Sequence, residues 1–209
     1  MWLDRTAYPF IVALGAAAAF AYLVGWPRSA WLLLVLGLGV AAFFRDPPRE
    51  LVTDPAAIVS PADGTVVEIS LHEEFPLSPD RPFTRVSIFL SIFNVHINRS
   101  PIAGTLTQYV YHPGRFMAAF NPKASLANEQ AQLLILGNDG IQVGLKQIAG
   151  WVARRVVTRV RPGDLLRAGE KIGLIRFGSR VDVFVPAEAR LQIDKGDRVK
   201  GGQSILARL

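Results

Sequence analysis

Cysteine is absent from the 209 residues, which removes disulfides, thiolate nucleophiles and cysteine-ligated metals together. Histidine is scarce. His72, His96 and His112 are the three present, too far apart for a short metal-ligand spacing, so no metal site is expected. No Gly-x-Ser-x-Gly elbow occurs, and no alternation of strands with helices that could carry one, which counts against an α/β hydrolase. Charge is nearly missing from the first 44 residues, where Asp4, Arg5 and Arg28 are the only ionised side chains. The formal charge of +6 therefore belongs mostly to residues 45–209. No nucleic-acid-binding motif accompanies it, so nucleic acid is not expected as a partner and an anionic membrane surface is favoured.

Two apolar runs, residues 8–26 and 31–44, are separated by Pro27-Arg28-Ser29. The first has the roughly 20 residues that a bilayer-spanning helix needs, and the second is shorter. A second apolar run so soon after the first is unlike a cleaved leader, and a retained helical membrane hairpin over residues 1–45 is expected. Arg5, Arg45 and Arg49 would fall on one side of it and Arg28 on the other. That bias puts the main domain on the cytoplasmic face of the inner cell membrane.

Beyond the charged, proline-stiffened stretch Arg45-Asp-Pro-Pro-Arg-Glu50, the pattern changes to short β-type runs between turn residues, and residues 46–209 are expected to form one mainly β domain. Strands are expected at 64–70, 84–93, 104–111, 132–136, 141–148, 151–160, 171–176 and 181–185. Gly137-Asn-Asp-Gly140 should close a hairpin. Gly163-Asp164 followed by Gly169-Glu170 repeats as Gly196-Asp197 followed by Gly202-Gln203. With Pro61-Ala-Asp-Gly64, these turns look like the hammerheads of biotinyl and lipoyl barrel-sandwich hybrids.

A small pair, Gly178-Ser179, lies between two apolar strand-like runs. Alone it reads as a bulge or tight bend. Its neighbours change the reading: Pro61-Ala-Asp-Gly64, Phe93-Asn-Val-His-Ile-Asn-Arg-Ser-Pro101, Tyr111-His-Pro-Gly-Arg115, Lys123-Ala-Ser125 with Asn128-Glu129, Gln147-Ile-Ala-Gly150 with Ala153-Arg-Arg155, and Phe177-Gly-Ser-Arg180 follow one another in order. Together they resemble the short-form phosphatidylserine decarboxylase proenzymes from about residue 50 to the end. Longer members of that family carry His-x-x-His before the proline, where this chain has His96 and Arg99.

The resemblance implies self-cleavage at Gly178-Ser179 into chains 1–178 and 179–209. Ser179 would be the nucleophile, His96 its base and Asp63 the carboxylate orienting that base. The serine would become a covalent pyruvoyl group. Phosphatidylserine in the membrane would condense with it as a Schiff base and leave as phosphatidylethanolamine and CO2, with neither metal nor pyridoxal phosphate. His96 would also return the proton. Asn94, Arg99, Lys123, Arg154 and Arg155 are the candidates for holding the headgroup. The two fragments would stay together as a heterodimer, with assembly beyond that left open. The competing reading is a membrane-anchored barrel-sandwich adaptor without chemistry at Ser179; a biotin or lipoyl carrier would need an exposed lysine at a hairpin tip, and neither Lys171 nor Lys195 has that setting. An ordinary Asp63–His96–Ser179 hydrolase triad is the other alternative.

Overall fold

The computed structural model describes residues 3–114, 128–150, 155–176 and 179–209. The chain divides into two compact units, Met1–Pro48 and Arg49–Leu209.

In the first unit, Asp4 caps a single 3-10 turn by accepting a hydrogen bond from Thr6 N at 2.9 Å. Helix α1, Tyr8–Leu23, and helix α2, Pro27–Phe43, come next. They are apolar around the whole circumference, and Phe20, Tyr22, Trp31, Leu32 and Leu38 point outward. Such a surface suits lipid better than water. Arg5–Leu23, 19 residues, is long and apolar enough to cross a membrane, and α2 is shorter. The helix ends differ from the apolar runs for local reasons. Gly25 adopts φ +80° and stops α1 before Trp26. Pro27, expected as a breaker, instead opens α2, where its missing N–H would have had no partner.

The second unit is mainly β, as the alternation predicts. Its strands are β1 Ala57–Val59, β2 Gly64–Phe75, β3 Ser78–Leu90, β4 Ile97–Arg99, β5 Gly104–His112, β6 Gln130–Leu136, β7 Gln142–Ala149, β8 Val156–Thr158, β9 Leu165–Leu166, β10 Lys171–Ile175, β11 Ser179–Pro186, β12 Arg190–Leu191, β13 Arg198–Val199 and β14 Ile205–Arg208. Of the strand expected over 151–160, residues 151–154 lie outside the described residues. Eight strands form one curled sheet in the order β13-β2-β3-β11-β7-β6-β5-β9, and the rest form two three-stranded sheets, β1-β14-β12 and β4-β10-β8. On β11, Val181, Val183 and Val185 alternate into the main core, each such burial being worth about 1.5–3 kcal/mol. Phe184, on the opposite face, packs with Phe75, Phe83 and Leu134.

This arrangement is a pseudo-two-fold repeat. The order of the large sheet reads equivalently from both ends, with β2 matching β5, β3 matching β6 and β11 matching β7. The registers agree in detail. Val66 opposes Ile88 just before a bulge in β2, and Leu106 opposes Ile135 just before a bulge in β5. Ser60 Oγ donates to Ala62 O at 2.7 Å, and Ser100 Oγ to Ile102 O at 2.7 Å. Gly196 N donates to Val66 O and Gly163 N to Leu106 O, both at 2.8 Å, so the two Gly-Asp turns are equivalent hammerheads. Gly163 and Gly196 sit at φ +97° and +103°, where a side chain would be strained.

The two halves differ at one end of the large sheet. Gly137 N donates to Ile141 O at 2.7 Å and closes β6 onto β7 as the expected hairpin. The matching end, between Leu90 of β3 and Ser179 of β11, is not closed by a turn: β3 leaves it toward residue 91 and β11 enters it from residue 178. The strand expected over 84–93 stops at Leu90 for this reason.

Candidate active site

Ser179 is the first residue of β11, paired with Leu90 on one side and Ala149 on the other. It is fully buried, 0% exposed, and its hydroxyl has no hydrogen-bond partner. A buried hydroxyl left unpaired costs about 1–3 kcal/mol, so the position calls for a functional explanation. The chain directly behind it is fixed on the opposite face. Arg180 clamps Asp182 through two 2.8 Å bonds, both residues being buried. Arg85 joins them from β3, and although burial opposes its charge, Asp182, Glu68 and Glu73 raise its pKa. Gly178, the other half of the expected cut, lies outside the described residues.

His96, 2% exposed, is tied by its backbone to the end of β10. Ile175 N, at the end of β10, donates to the His96 carbonyl at 3.3 Å. Three residues then separate that bond from Ser179. The imidazole Nδ1 is 2.9 Å from the Asn94 carbonyl oxygen. A carbonyl can only accept, so Nδ1 carries the proton and the basic lone pair is on Nε2. Asn94 itself is a turn clamp: its side-chain oxygen accepts from Ser91 N at 2.9 Å and from Ser91 Oγ at 2.7 Å. One residue thus shapes the 91–94 turn with its amide and sets the tautomer of His96 with its backbone.

Asp63 accepts from Gly201 N at 2.8 Å and pairs with Arg49 at 2.8 Å. The Nδ1 partner is therefore the Asn94 carbonyl, and the carboxylate ties the 61–64 turn to the 200–203 turn. Pro61 O, in the same turn, accepts from Arg99 N at 2.8 Å and so fixes β4 next to His96. Arg99 is buried and donates to Gly169 O at 2.9 Å. It lines an open hollow of about 840 Å³ with Leu51, Leu165 and Lys171; neither Ser179 nor His96 borders that hollow.

Arg155 is exposed, and its carbonyl accepts from Arg176 N at 3.3 Å. The Arg176 pKa is lowered by burial and by the Arg155 charge. The two charges act on one another and together create a positive field suited to an anion. Tyr111 borders the same cluster: burial and its bond to Glu129 raise its pKa, and Arg155 opposes them. Lys123 and Arg154 lie outside the described residues. Arg176 was legible only as a lone cation inside the apolar run before Gly178, and Asn94 gives no sign in the sequence that it acts on His96.

A family described as phosphatidylserine decarboxylase matches residues 36–207. The chain belongs to the phosphatidylserine decarboxylase family. A protein of Erythrobacter litoralis named phosphatidylserine decarboxylase proenzyme is 48% identical over 213 residues, covering 97% of this chain and 85% of the relative. Relatives of the same name from Magnetococcus marinus, 43% identical, and Symbiobacterium thermophilum, 44% identical, cover 98% and 99% of this chain and 94% and 95% of their own lengths. Membership in an enzyme family sets the adaptor reading aside.

Proposed function

We propose that this chain is a membrane-anchored proenzyme that cuts itself between Gly178 and Ser179 and then converts phosphatidylserine to phosphatidylethanolamine and CO2. The observation that carries the reading is the buried, unpartnered Ser179 hydroxyl at the open end of β11; the bond of His96 to Ile175, four residues before Ser179 in the chain, supports His96 as its base.

Nε2 of His96 takes the Ser179 Oγ proton, and Oγ attacks the Gly178 carbonyl carbon. The C–O bond forms, the C–N bond breaks, and the Ser179 nitrogen leaves protonated. Glycine at 178 presents no side chain to this attack. Loss of the Ser179 Cα proton then expels the Gly178 carboxylate from Cβ, and water replaces the nitrogen as ammonia. The setting fits a pyruvoyl group, because residue 179 is held on both sides by backbone ladders and its Oγ, which leaves with the Gly178 carboxylate, makes no hydrogen bond that would oppose its loss. That group supplies the electron sink for decarboxylation, the role pyridoxal phosphate plays elsewhere.

Arg155 and Arg176 pair with the anionic groups of the substrate, with Lys123 and Arg154 as further candidates, and His96 returns a proton to the carbon that loses CO2. Asp63 is a positioning residue, acting through the 61–64 turn and β4. The α1–α2 hairpin holds the enzyme on the inner membrane with its catalytic unit in the cytoplasm. Chains 1–178 and 179–209 remain together as a heterodimer.

Intact-mass measurement of the purified protein is expected to give these two chains, the smaller without a free amino terminus and reactive toward hydroxylamine at its first residue. Ser179→Ala should give one inactive chain. A single uncut wild-type chain with full activity sinks the reading.

A further inference from the structure

The turn at 91–94 presents two consecutive apolar side chains to solvent: Ile92 is 53% exposed and Phe93 79%. It is not a floppy excursion. Asn94 N donates to Ser91 O at 3.0 Å, and the Asn94 side chain closes the turn from within, so both residues are held at its tip. Other exposed apolar side chains of this unit, such as Leu71 and Leu165, stand singly, and single exposures are ordinary. The corresponding end of the other half supplies a comparison. Between β6 and β7 the tip carries Asn138 and Asp139, the residues expected of a turn facing water.

From the apolar tip, its rigid link through the Asn94 carbonyl to His96, and the exposed cation Arg155 beside the same end, we infer that the Ile92–Phe93 tip inserts into the lipid surface and seats the active site on it. This rests on the decarboxylase reading for its substrate and adds a second membrane contact, made by the catalytic unit itself. Apolar side chains at a tip enter the boundary between headgroups and acyl chains, while nearby cations meet anionic lipid. A headgroup beneath the tip then has a short path to residue 179, with its anionic groups facing Arg155 and Arg176. The commitment is to a bilayer, because the tip is two residues wide, too small a surface for a stable protein interface.

The absence of cysteine permits a clean test on the full-length chain. Phe93→Cys, Asp139→Cys and Leu71→Cys are each labelled with an environment-sensitive fluorophore and mixed with vesicles of phosphatidylcholine and phosphatidylserine. The label at 93 is expected to shift to the blue and to be quenched by nitroxide on the upper acyl chain, and the labels at 139 and 71 to do neither. In parallel, Ile92→Ser/Phe93→Ser should mature into two chains and turn over dispersed short-chain phosphatidylserine normally, yet lose about tenfold in kcat/KM on vesicles. A label at 93 as wet as that at 139, on protein that sediments with the vesicles, overturns the inference. The label reads depth without turnover, so a protein that docks through residue 93 but releases no CO2 refutes the proposed function and upholds the tip.

Discussion

The two halves of the repeat build the same turns and strands from different residues, and at several positions a polar residue in one half matches an apolar one in the other. Pro61-Ala-Asp63-Gly64 and Pro101-Ile-Ala103-Gly104 open β2 and β5 with the same backbone bonds. In both, the glycine is required, since a Cβ would strike Phe89 O at one and Leu136 O at the other. The aspartate is not, because Ala103 occupies the matching position. Asp63 is therefore surplus to the turn chemistry that would ordinarily explain it. The same holds across β1 and β4: where one half has Ala56, Ile58 and Val59, the other has His96, Asn98 and Arg99. Asn98 accepts from Gln147 at 2.7 Å in a buried pair. Ser179 itself matches Ile141, the residue that follows a closed hairpin. At each of these positions one copy folds with an apolar residue where the other has a polar one, which separates what the fold needs from what the proposed chemistry would need.

Breaking the equivalence at the base should give the largest effect. His96→Ala is expected to slow self-cleavage about 10³-fold, followed by electrophoresis of the freshly made chain. Conversely, Ile141→Ser puts a serine in the matching register with Ala56 where the histidine would be, and it should yield no second cut; a new fragment boundary at residue 141 would show that the histidine is dispensable.

A smaller effect is expected at the surplus carboxylate. Asp63→Asn keeps the bond from Gly201 N but leaves Arg49 without its counter-charge, and should cost about 2 kcal/mol of stability in urea unfolding. Maturation should slow about tenfold, less than for His96→Ala because the tautomer is set by Asn94. Ala103→Asp, on an exposed turn residue, should stay within about 0.5 kcal/mol of wild type. Equal losses from both would mean that the two turns share one role.

The smallest effect concerns Lys146, which stands opposite Asp182. Burial lowers its pKa, Asp182 opposes this, and Arg180 and Arg85 add to the lowering. Between the lowered value and the ordinary lysine value the unfolded chain binds the proton and the folded chain does not. Stability should therefore rise with pH across that window. Lys146→Met should lose this rise while changing stability at neutral pH by no more than about 1 kcal/mol. Parallel urea midpoints for the two proteins up to the lysine range would refute the assignment.

Much of the barrel was legible in the sequence because long strands obey a period of two. β5, β6, β7, β10 and β11 fall close to their expected spans. The short strands β1, β4, β9 and β12 to β14 have two to four residues, too few for any period. Ser78–Phe83 of β3 was hidden by Pro79, Asp80 and Pro82, which read as turn residues yet lie in the long hairpin with β2. Ile92 and Phe93 prolonged an apolar pattern past the end of β3, because periodicity does not distinguish a core residue from one on an exposed tip. At the site, Ser179 and His96 stood out only through their neighbours in the resemblance. The tautomer of His96 depends on a carbonyl, and carbonyls carry no residue identity to read.

The position of β11 in the sheet bears on how long a chain cut at the proposed site would hold together. With the chain cut before Ser179, the small fragment occupies the middle of the large sheet, laddered to β3 along its whole length and to β7 along most of it. The same fragment supplies β12 and β14 to an outer sheet and β13 to one end of the large one. It cannot peel away from an edge. Escape requires both ladders and the buried Val181–Val185 stripe to open together, which is close to unfolding the whole unit. Dilution should therefore leave the pair intact, and its lifetime should follow the global unfolding rate rather than any dissociation equilibrium.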